Sequence, residues 1–388
     1  MTATTAPFVQ RSALDELLAL HFPLLPRTRP SCRPLHSRIA HVEDLVQQAQ
    51  QPTADTLARA AEAHNFSALI ASDCGLAALA RELCQRQHTA IRATTPVGVA
   101  HAKLTLQPLI NLGRLHTRAG DGTAAYQVLH ALFDTVQRRS TARIDGITFD
   151  ARHLVLDAEH PELVQWLWAV LLADGTRALA RAGRWEEASQ HAEQHHGVGT
   201  RLLDGRQVTI IATHPQTALA MLAATDTAAP WERAIAACLT TICRIRLQQC
   251  TDADIGAMVD AYHTVEPDTT DPVFHVRLGL TAATLAAGHP AAAELLGRVE
   301  GTATGTTDAY IARDVLAAAH LLPVADRTMQ DMTETVQQAG LGAGDIPPTL
   351  LNRLLQATDT AERLISATVR SATPPAEMNQ RPPEAADA

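Results

Sequence analysis

The feature that most constrains the fold is a glycine followed five residues later by an alanine, which recurs along the chain. The two clearest copies are Gly120 with Ala125 and Gly183 with Ala188. Glycine ends a helix well because it adopts a left-handed backbone conformation, and a small alanine lets the next helix approach closely. The spacing therefore predicts a series of helix–turn–helix units.

Three further stretches follow the same spacing with more variation. They are Gly75 to Ala80, Gly288 to Ala293 and Thr213 to Ala218. The longest interval between turns, from Thr213 to Gly288, leaves room for one more turn near Thr251. The predicted units are therefore unevenly spaced.

The composition favours helices throughout. Hydrophobic residues, mostly Ala and Leu, make up 46% of the 388 residues, whereas aromatic residues make up only 3%. Alanine loses little entropy in a helix, so we expect an all-α fold. A single core usually organises about 250 to 300 residues, so a chain of this length favours an elongated stack or several domains.

Two of these units resemble the tetratricopeptide repeat (TPR), which has Leu-Gly in the first helix, Gly at the turn and small or aromatic residues in the second helix. The residues that carry the resemblance are Leu112, Gly113, Gly120, Ala125 and Leu129, followed by Gly183, Trp185, Ala188 and Ala192. Thr176 departs from the pattern, since it stands where the first-helix glycine belongs. The resemblance implies a divergent α-solenoid, a right-handed superhelical stack of antiparallel helix pairs. An irregular helical bundle is the alternative.

The chain divides into three parts by composition. Residues 1–35 are predicted to form an N-terminal arm, whose proline- and arginine-rich loop runs extended across the surface. Residues 36–372 are predicted to form the TPR-like helical repeat domain. Residues 373–388 are polar and rich in proline, so we expect a disordered tail.

Two segments of the repeat domain have patterns of their own. An insertion near 137–153 contains Asp145-Gly146 between two isoleucines, which is typical of a β-hairpin and predicts one that projects from the stack. The segment 350–369 has an apolar helical stripe that would either cap the stack or dimerise the chain into a homo-oligomer.

Charge and the lack of targeting signals limit the partners. The formal net charge is −9 at pH 7, which repels nucleic acid and anionic lipid on average. Asp15 and Glu16 interrupt the apolar start of the chain, and no run of about 18 apolar residues occurs. We therefore expect a cytoplasmic protein with no direct nucleic-acid partner and no membrane partner. The six cysteines form no CxxC pair and are predicted to be reduced and buried.

If the units stack as in the TPR family, the resemblance assigns particular first-helix positions to a concave groove. In the two clearest units these positions include Gln107, Ile110, Arg114, Arg118, Arg177 and Arg181. Arginine falls at the same two places in both units, and its guanidinium pairs oxyanions through two parallel hydrogen bonds. The corresponding positions of the later units are mostly apolar, among them Ile210, Ile211, Leu278 and Leu285. A groove with a basic and an apolar end fits a protein or peptide partner with an acidic terminus. The alternative is that the arginines are solvated or pair locally, as Arg177 can with Asp174.

The sequence contains no catalytic motif, and we predict no cofactor and no metal. His191, His195 and His196 have the spacing of helical metal ligands, but the glutamate of a zinc enzyme motif is missing, and histidines are favourable at a helix C-terminus without a ligand.

The sequence therefore predicts a scaffold or regulatory module that binds an acidic or carboxylate-bearing ligand. The alternative is an enzyme of unfamiliar type that uses the His- and Arg-rich inner surface. It needs a cluster of perturbed titratable groups in one pocket, for instance His64, His101 and His116 with Asp73.

Overall fold

The computed structural model describes residues 11–27, 29–93, 95–266 and 271–372. Helices dominate this part of the chain, whose sheet has two strands, so the all-α prediction is confirmed. The predicted tail, 373–388, and the first ten residues of the arm lie outside the described residues.

In chain order the elements are α1 (Arg11–His21), α2 (Leu35–Ala49), α3 (Thr56–Asp73), α4 (Ala77–Ile91), α5 (Val99–Arg118), α6 (Gly122–Gln137), β1 (Thr141–Ile144), β2 (Ile147–Asp150), α7 (His160–Val170), α8 (Thr176–Arg181), α9 (Trp185–Gln194), α10 (Asp204–Ala212), α11 (Pro215–Ala223), α12 (Pro230–Arg246), α13 (Asp252–His263), α14 (Pro272–Leu285), α15 (Ala291–Thr304), α16 (Ala309–Ala318), α17 (Asp326–Ala339) and α18 (Pro348–Ala372). A π-helical turn, Leu171–Gly175, joins α7 to α8.

The predicted turn glycines have the left-handed backbone that the spacing requires. The φ angles of Gly75, Gly120, Gly183 and Gly288 are 81°, 82°, 70° and 84°. Thr213 differs, because its φ of −81° lies in the extended region. The turn predicted near Thr251 is also present: it lies between α12 and α13, and the Thr251 side chain caps α13.

Four of the five small residues predicted at the helix crossings are buried, namely Ala80, Ala125, Ala188 and Ala218, whereas Ala293 is exposed. Ala125 and Ala188 have no exposed surface. A Cβ added to Gly113 would lie 3.0 Å from the Leu129 side chain, so α5 and α6 approach each other too closely for a larger residue. The residues that carry the repeat resemblance therefore pack as helix pairs.

The contacts between neighbouring helices close into a ring. From α2 onward each hairpin packs on the next, and at the other end α17 contacts α2, while α18 packs on α2, α3 and α4. The apolar stripe of α18 is buried in this closure, where Leu354 and Ile365 have no exposed surface. The buried part of the stripe is thus covered by helices of its own chain, which agrees with the capping alternative.

The described part of the N-terminal arm, residues 11–27 and 29–35, is buried in part: α1 and the residues after it pack inward, whereas Pro26, Pro30, Ser31 and Arg33 of the non-helical loop are exposed. The apolar face of α1, with Leu14, Leu17 and Leu18, is buried against α8 and α14. Phe22 and Leu24 follow it into the same core. The arm is apolar at these positions, and burying each large apolar side chain stabilises the fold by about 1.5 to 3 kcal/mol. The prolines of the loop do not prevent this burial.

The predicted β-hairpin is present but does not project. Strands β1 and β2 pair antiparallel around Asp145 and Gly146, whose φ angles of 46° and 87° suit a tight hairpin turn. Ile144 and Phe149 are buried against the helices, and Asp145 pairs with Arg81 and His116. The apolar face of the hairpin explains why it packs down.

Two further expectations concern burial and membranes. All six cysteines are buried free thiols, as predicted. Among the described residues, every helix is too short or too polar to cross a bilayer.

Replacing Gly120 by alanine should lower the free energy of unfolding by about 1 kcal/mol, because alanine is disfavoured at positive φ. A Cβ at this position meets nothing within 4 Å, so the cost comes from the backbone alone. The matched control is Gly297→Ala inside α15, where a Cβ also meets open space. There alanine should stabilise the protein by about 0.5 to 1 kcal/mol. Urea denaturation measures both, and equal stability of Gly120→Ala and wild type would contradict the turn assignment.

Acidification should destabilise the protein between pH 6.5 and pH 4. Burial lowers the pKa of His88 and of His191 to about 4. Below about pH 6.5 the unfolded chain takes up these protons and the folded chain does not, so stability is complete above this pH and is lost toward pH 4. Each histidine should cost on the order of 1 to 2 kcal/mol at pH 5. Urea midpoints at pH 7.5 and 5 test this, with His88→Phe reducing the difference and exposed His36→Gln leaving it unchanged.

Candidate functional site

The ring of helices encloses a cavity of about 1120 Å³. One face each of α3, α5, α14 and α16 lines it, together with α8 and the end of α1. On α5 the lining residues are Gln107, Asn111, Arg114 and Arg118, which are three or four residues apart and therefore share one helix face. The volume suits a ligand of the size of a short peptide segment.

Five of the six residues assigned to the groove line this cavity. They are Gln107, Arg114, Arg118, Arg177 and Arg181. Ile110 does not line it, because its side chain is fully buried in the apolar cluster beneath α5. Counting back from the turn glycine therefore places the polar positions of α5 and α8 on the cavity and misplaces the apolar one.

The cavity is more basic than the repeat pattern predicts. Sequence reasoning missed Arg29, Arg277 and Arg313, and the complete lining has seven arginines: Arg29, Arg114, Arg118, Arg177, Arg181, Arg277 and Arg313. The lining carboxylates are Glu62, Asp73 and Asp314. The cavity is thus positive in a chain whose net charge is −9.

The predicted apolar end of the groove is not open. Ile210 and Leu278 lie in the core, where the N-terminal arm packs. The Gln207 side chain accepts a hydrogen bond from the backbone N–H of Leu24 at 2.8 Å and donates one to its carbonyl at 2.9 Å. The arm therefore occupies the place that we assigned to the apolar part of a ligand.

Asp73 at the end of α3 is the most heavily bonded carboxylate of the lining. It accepts hydrogen bonds from Arg38 at 2.7 Å, from Arg118 at 2.5 Å and from the Tyr310 hydroxyl at 2.8 and 2.9 Å. Burial disfavours the Arg118 cation, yet Asp73 and Tyr310 more than compensate and raise its pKa. Burial and the neighbouring Asp73 also raise the pKa of Tyr310, so both donors stay protonated. Asp73 thereby holds α2, α3, α5 and α16 together.

Two aspartates balance the arginines of α5 and α8. Asp174 lies in the π-helical turn, an element found often at functional sites, and accepts from Arg114 at 2.9 Å. Arg177 reaches Asp174 at 3.5 Å and Asp204 at 3.8 Å. Burial, followed by the charge of Arg27, lowers the pKa of Arg177. The local pairing of Arg177 with Asp174 is therefore real, but it leaves both arginine side chains partly exposed to the cavity.

A third group surrounds Asp314 on α16. Arg277 and Arg313 donate to its carboxylate at 2.6 and 2.9 Å, and both hold its pKa down, to about 2, against the opposing effect of burial. The guanidiniums of Arg313 and Arg29 lie 5.3 and 5.7 Å from the centre of the Tyr310 ring, within range of a cation–π contact.

Arg181 belongs to the same region. It donates to the backbone carbonyls of Ala19 and Leu20, at 3.2 and 3.1 Å, at the C-terminal end of α1, where a cation is favourable. Burial and the charges of Arg277 and Arg313 lower the pKa of Arg181. The four-arginine cluster is Arg29, Arg181, Arg277 and Arg313. Within the described part of the chain, Arg29 and Arg181 have no ion pair.

The histidines of the enzyme alternative do not gather at the cavity. His64 is buried beside Glu362, His101 bonds to the Ile91 carbonyl and His116 pairs with Asp145. None of these three lines the cavity, whereas Asp73 does. The pocket that this alternative requires does not form from these residues.

The histidines with metal-ligand spacing have protein partners or lie apart. His191 is buried, and its ring nitrogens lie 3.3 Å from the Tyr126 hydroxyl and 3.2 Å from the Leu171 carbonyl. The rings of His191 and His195 pack 4.6 Å apart. In the described ranges, no three His, Cys, Asp or Glu side chains are arranged to hold a metal.

Comparisons with protein-family models, with curated proteins and with solved structures found no match to this chain. The class that the fold and site define is therefore an all-α protein whose helix pairs pack as neighbours around an arginine-lined cavity. The TPR resemblance rests on the residues of the two clearest units.

Replacing Asp73 by asparagine should destabilise the protein by about 3 to 5 kcal/mol, because it leaves Arg38 buried without a compensating charge. The matched control is Asp359→Asn, which breaks a half-exposed pair with Arg86 and should cost no more than about 1 kcal/mol. Urea denaturation compares the two variants. Similar small losses in both would show that Asp73 does not hold the ring closed.

Proposed function

We propose that the protein is an interaction module that holds an acidic segment of a partner protein in the arginine-lined cavity. The observation that carries the proposal is the charge of the lining, seven arginines against three carboxylates in an acidic chain. A concave site of one charge sign concentrates ligands of the opposite sign and raises their rate of association.

The identity of the cation supports an oxyanion as the ligand. Lys103 is the single lysine of the sequence and does not line the cavity, so all of the cationic lining is guanidinium. A guanidinium presents a planar fork that matches a carboxylate with two hydrogen bonds. The side chains of Arg114, Arg118 and Arg177 are 46%, 41% and 35% exposed, so a ligand can reach them.

The arm narrows what the ligand can be. Phe22 and the end of α1 already line the cavity, and the arm covers the apolar positions of the later helices. The proposed ligand is therefore a short acidic segment rather than a long amphipathic helix. The right-handed TPR-type winding, the regulatory role and the cytoplasmic location are part of the same proposal.

The double variant Arg114→Gln, Arg177→Gln should bind a labelled oligoglutamate peptide at least about tenfold more weakly than wild type, because charged hydrogen bonds are lost. Because Asp174, whose side chain is 13% exposed, loses both arginine partners, the melting temperature should fall, and affinities are compared at a temperature where circular dichroism shows both proteins folded. Fluorescence anisotropy measures the affinity, which should also fall as salt is added.

Two controls accompany this measurement. An oligoglutamine peptide of equal length should bind far more weakly than oligoglutamate. The variant Arg138→Gln, whose arginine is 73% exposed and pairs with Asp134, should bind like wild type. Equal binding of oligoglutamate by wild type and the double variant would remove the cavity from the proposed function.

A further inference from the structure

The four-arginine cluster is undercompensated in charge. Asp314 is the carboxylate that its members share, and both of its oxygens already accept from Arg277 and Arg313. Asp308 lies nearby but accepts from the backbone N–H groups of Cys32 and Tyr310. Asp308 keeps its negative charge while it accepts these bonds, and it acts on Arg29. Four cations therefore face two carboxylates, which leaves an excess of about two positive charges.

The fold holds these cations together despite their repulsion. Packing places Arg29 and Arg313 over the same tyrosine ring, and Arg181 is bound to the end of α1. Each of these side chains lines the cavity, so a ligand can reach it from there. An anion bound here would reduce the repulsion among the four arginines more strongly than water does.

The arginines of α5 and α8 differ in this respect. Arg114 and Arg177 share Asp174, and Arg177 and Arg27 both reach Asp204, so two carboxylates lie close to three cations. The excess on that side is about one positive charge, which a single carboxylate of the ligand matches. The unbalanced charge is concentrated at the four-arginine cluster.

We propose that the four-arginine cluster binds a phosphoryl dianion. A phosphoryl group carries a charge of about −1.5 to −2 and three strong acceptor oxygens, so it can engage several guanidinium forks at once. A carboxylate carries one charge and two oxygens, which leaves part of the cluster unbalanced. The inference deepens the proposed function, on which it rests for the use of the cavity, by assigning the charged group of the ligand.

Isothermal titration with inorganic phosphate near neutral pH tests the cluster directly, with sodium chloride at equal ionic strength as the reference. Wild type should bind phosphate saturably at one site. Arg181→Gln and Arg313→Gln should each weaken phosphate binding about tenfold, since each removes a charged hydrogen-bond donor. Arg138→Gln lies outside the cavity and should bind like wild type. Phosphate heats no larger than those of chloride would overturn the proposal.

Two further variants distinguish loss of the phosphate site from loss of folding. Arg29→Gln has no ion pair to lose within the described chain, so its melting temperature should stay near that of wild type while phosphate binding weakens. Arg181→Lys keeps the charge but loses the planar fork, so its affinity should fall between those of wild type and Arg181→Gln. Unchanged phosphate affinity in folded Arg29→Gln and Arg181→Gln would place the bound phosphate elsewhere and overturn the assignment.

A phosphoserine peptide and its unphosphorylated twin distinguish the source of the phosphoryl group. Tighter binding of the phosphopeptide than of inorganic phosphate assigns the group to a protein partner, and equal affinities assign it to free phosphate. Phosphate binding without any oligoglutamate binding would support the phosphoryl site and contradict the proposal that the cavity holds an acidic segment. Oligoglutamate binding without phosphate binding would support the acidic-segment proposal and contradict the phosphoryl site.

Discussion

The hydrogen bonds to the buried Asp73 carboxylate are the interaction on which the rest of the structure depends. Its partners Arg38, Arg118 and Tyr310 come from α2, α5 and α16, and Tyr310 lies 237 residues away along the chain. The Asp73 backbone carbonyl also accepts from Gly342, in the loop before α18. Both ends of the helical chain therefore meet at one residue, where both oxygens of the buried carboxylate accept hydrogen bonds.

This closure explains why the arginines face a common hollow. In an open stack the arginines of α5 and α8 would lie on one part of a long surface, far from those of α14 and α16. Because α18 packs back on α2, α3 and α4, the first and last hairpins meet and all these helices border one cavity. The arm fills part of the interior, and the cavity that is left is strongly basic.

Local signals predicted the parts of the fold that short-range chemistry controls. Gly120 and Gly183 mark their turns because positive φ disfavours other residues, and Asp145-Gly146 marks the hairpin for the same reason. Arg114 and Arg177 were found because α5 and α8 end close to their turn glycines, so counting back reaches the cavity face. These predictions needed only spacing and backbone conformation.

Long-range packing decided what the sequence could not predict. Arg277 was missed because α14 ends at Leu285, three residues before its turn, so the count from Gly288 falls on buried positions. Arg29 reaches the cavity only because the arm turns inward, and no periodic pattern marks that path. The ring closure depends on contacts between residues more than 200 positions apart, as Tyr310 with Asp73, and a single sequence carries no signal for such pairs.

The most direct test of the account is a crystal of the full chain soaked in tungstate, a heavy tetrahedral oxyanion that anomalous scattering locates. The account predicts a peak in the central cavity, with its oxygens about 2.7 to 3.2 Å from the guanidinium nitrogens of Arg181 and Arg313. A cavity without anomalous density, in crystals where tungstate occupies other arginines of the surface, would contradict it.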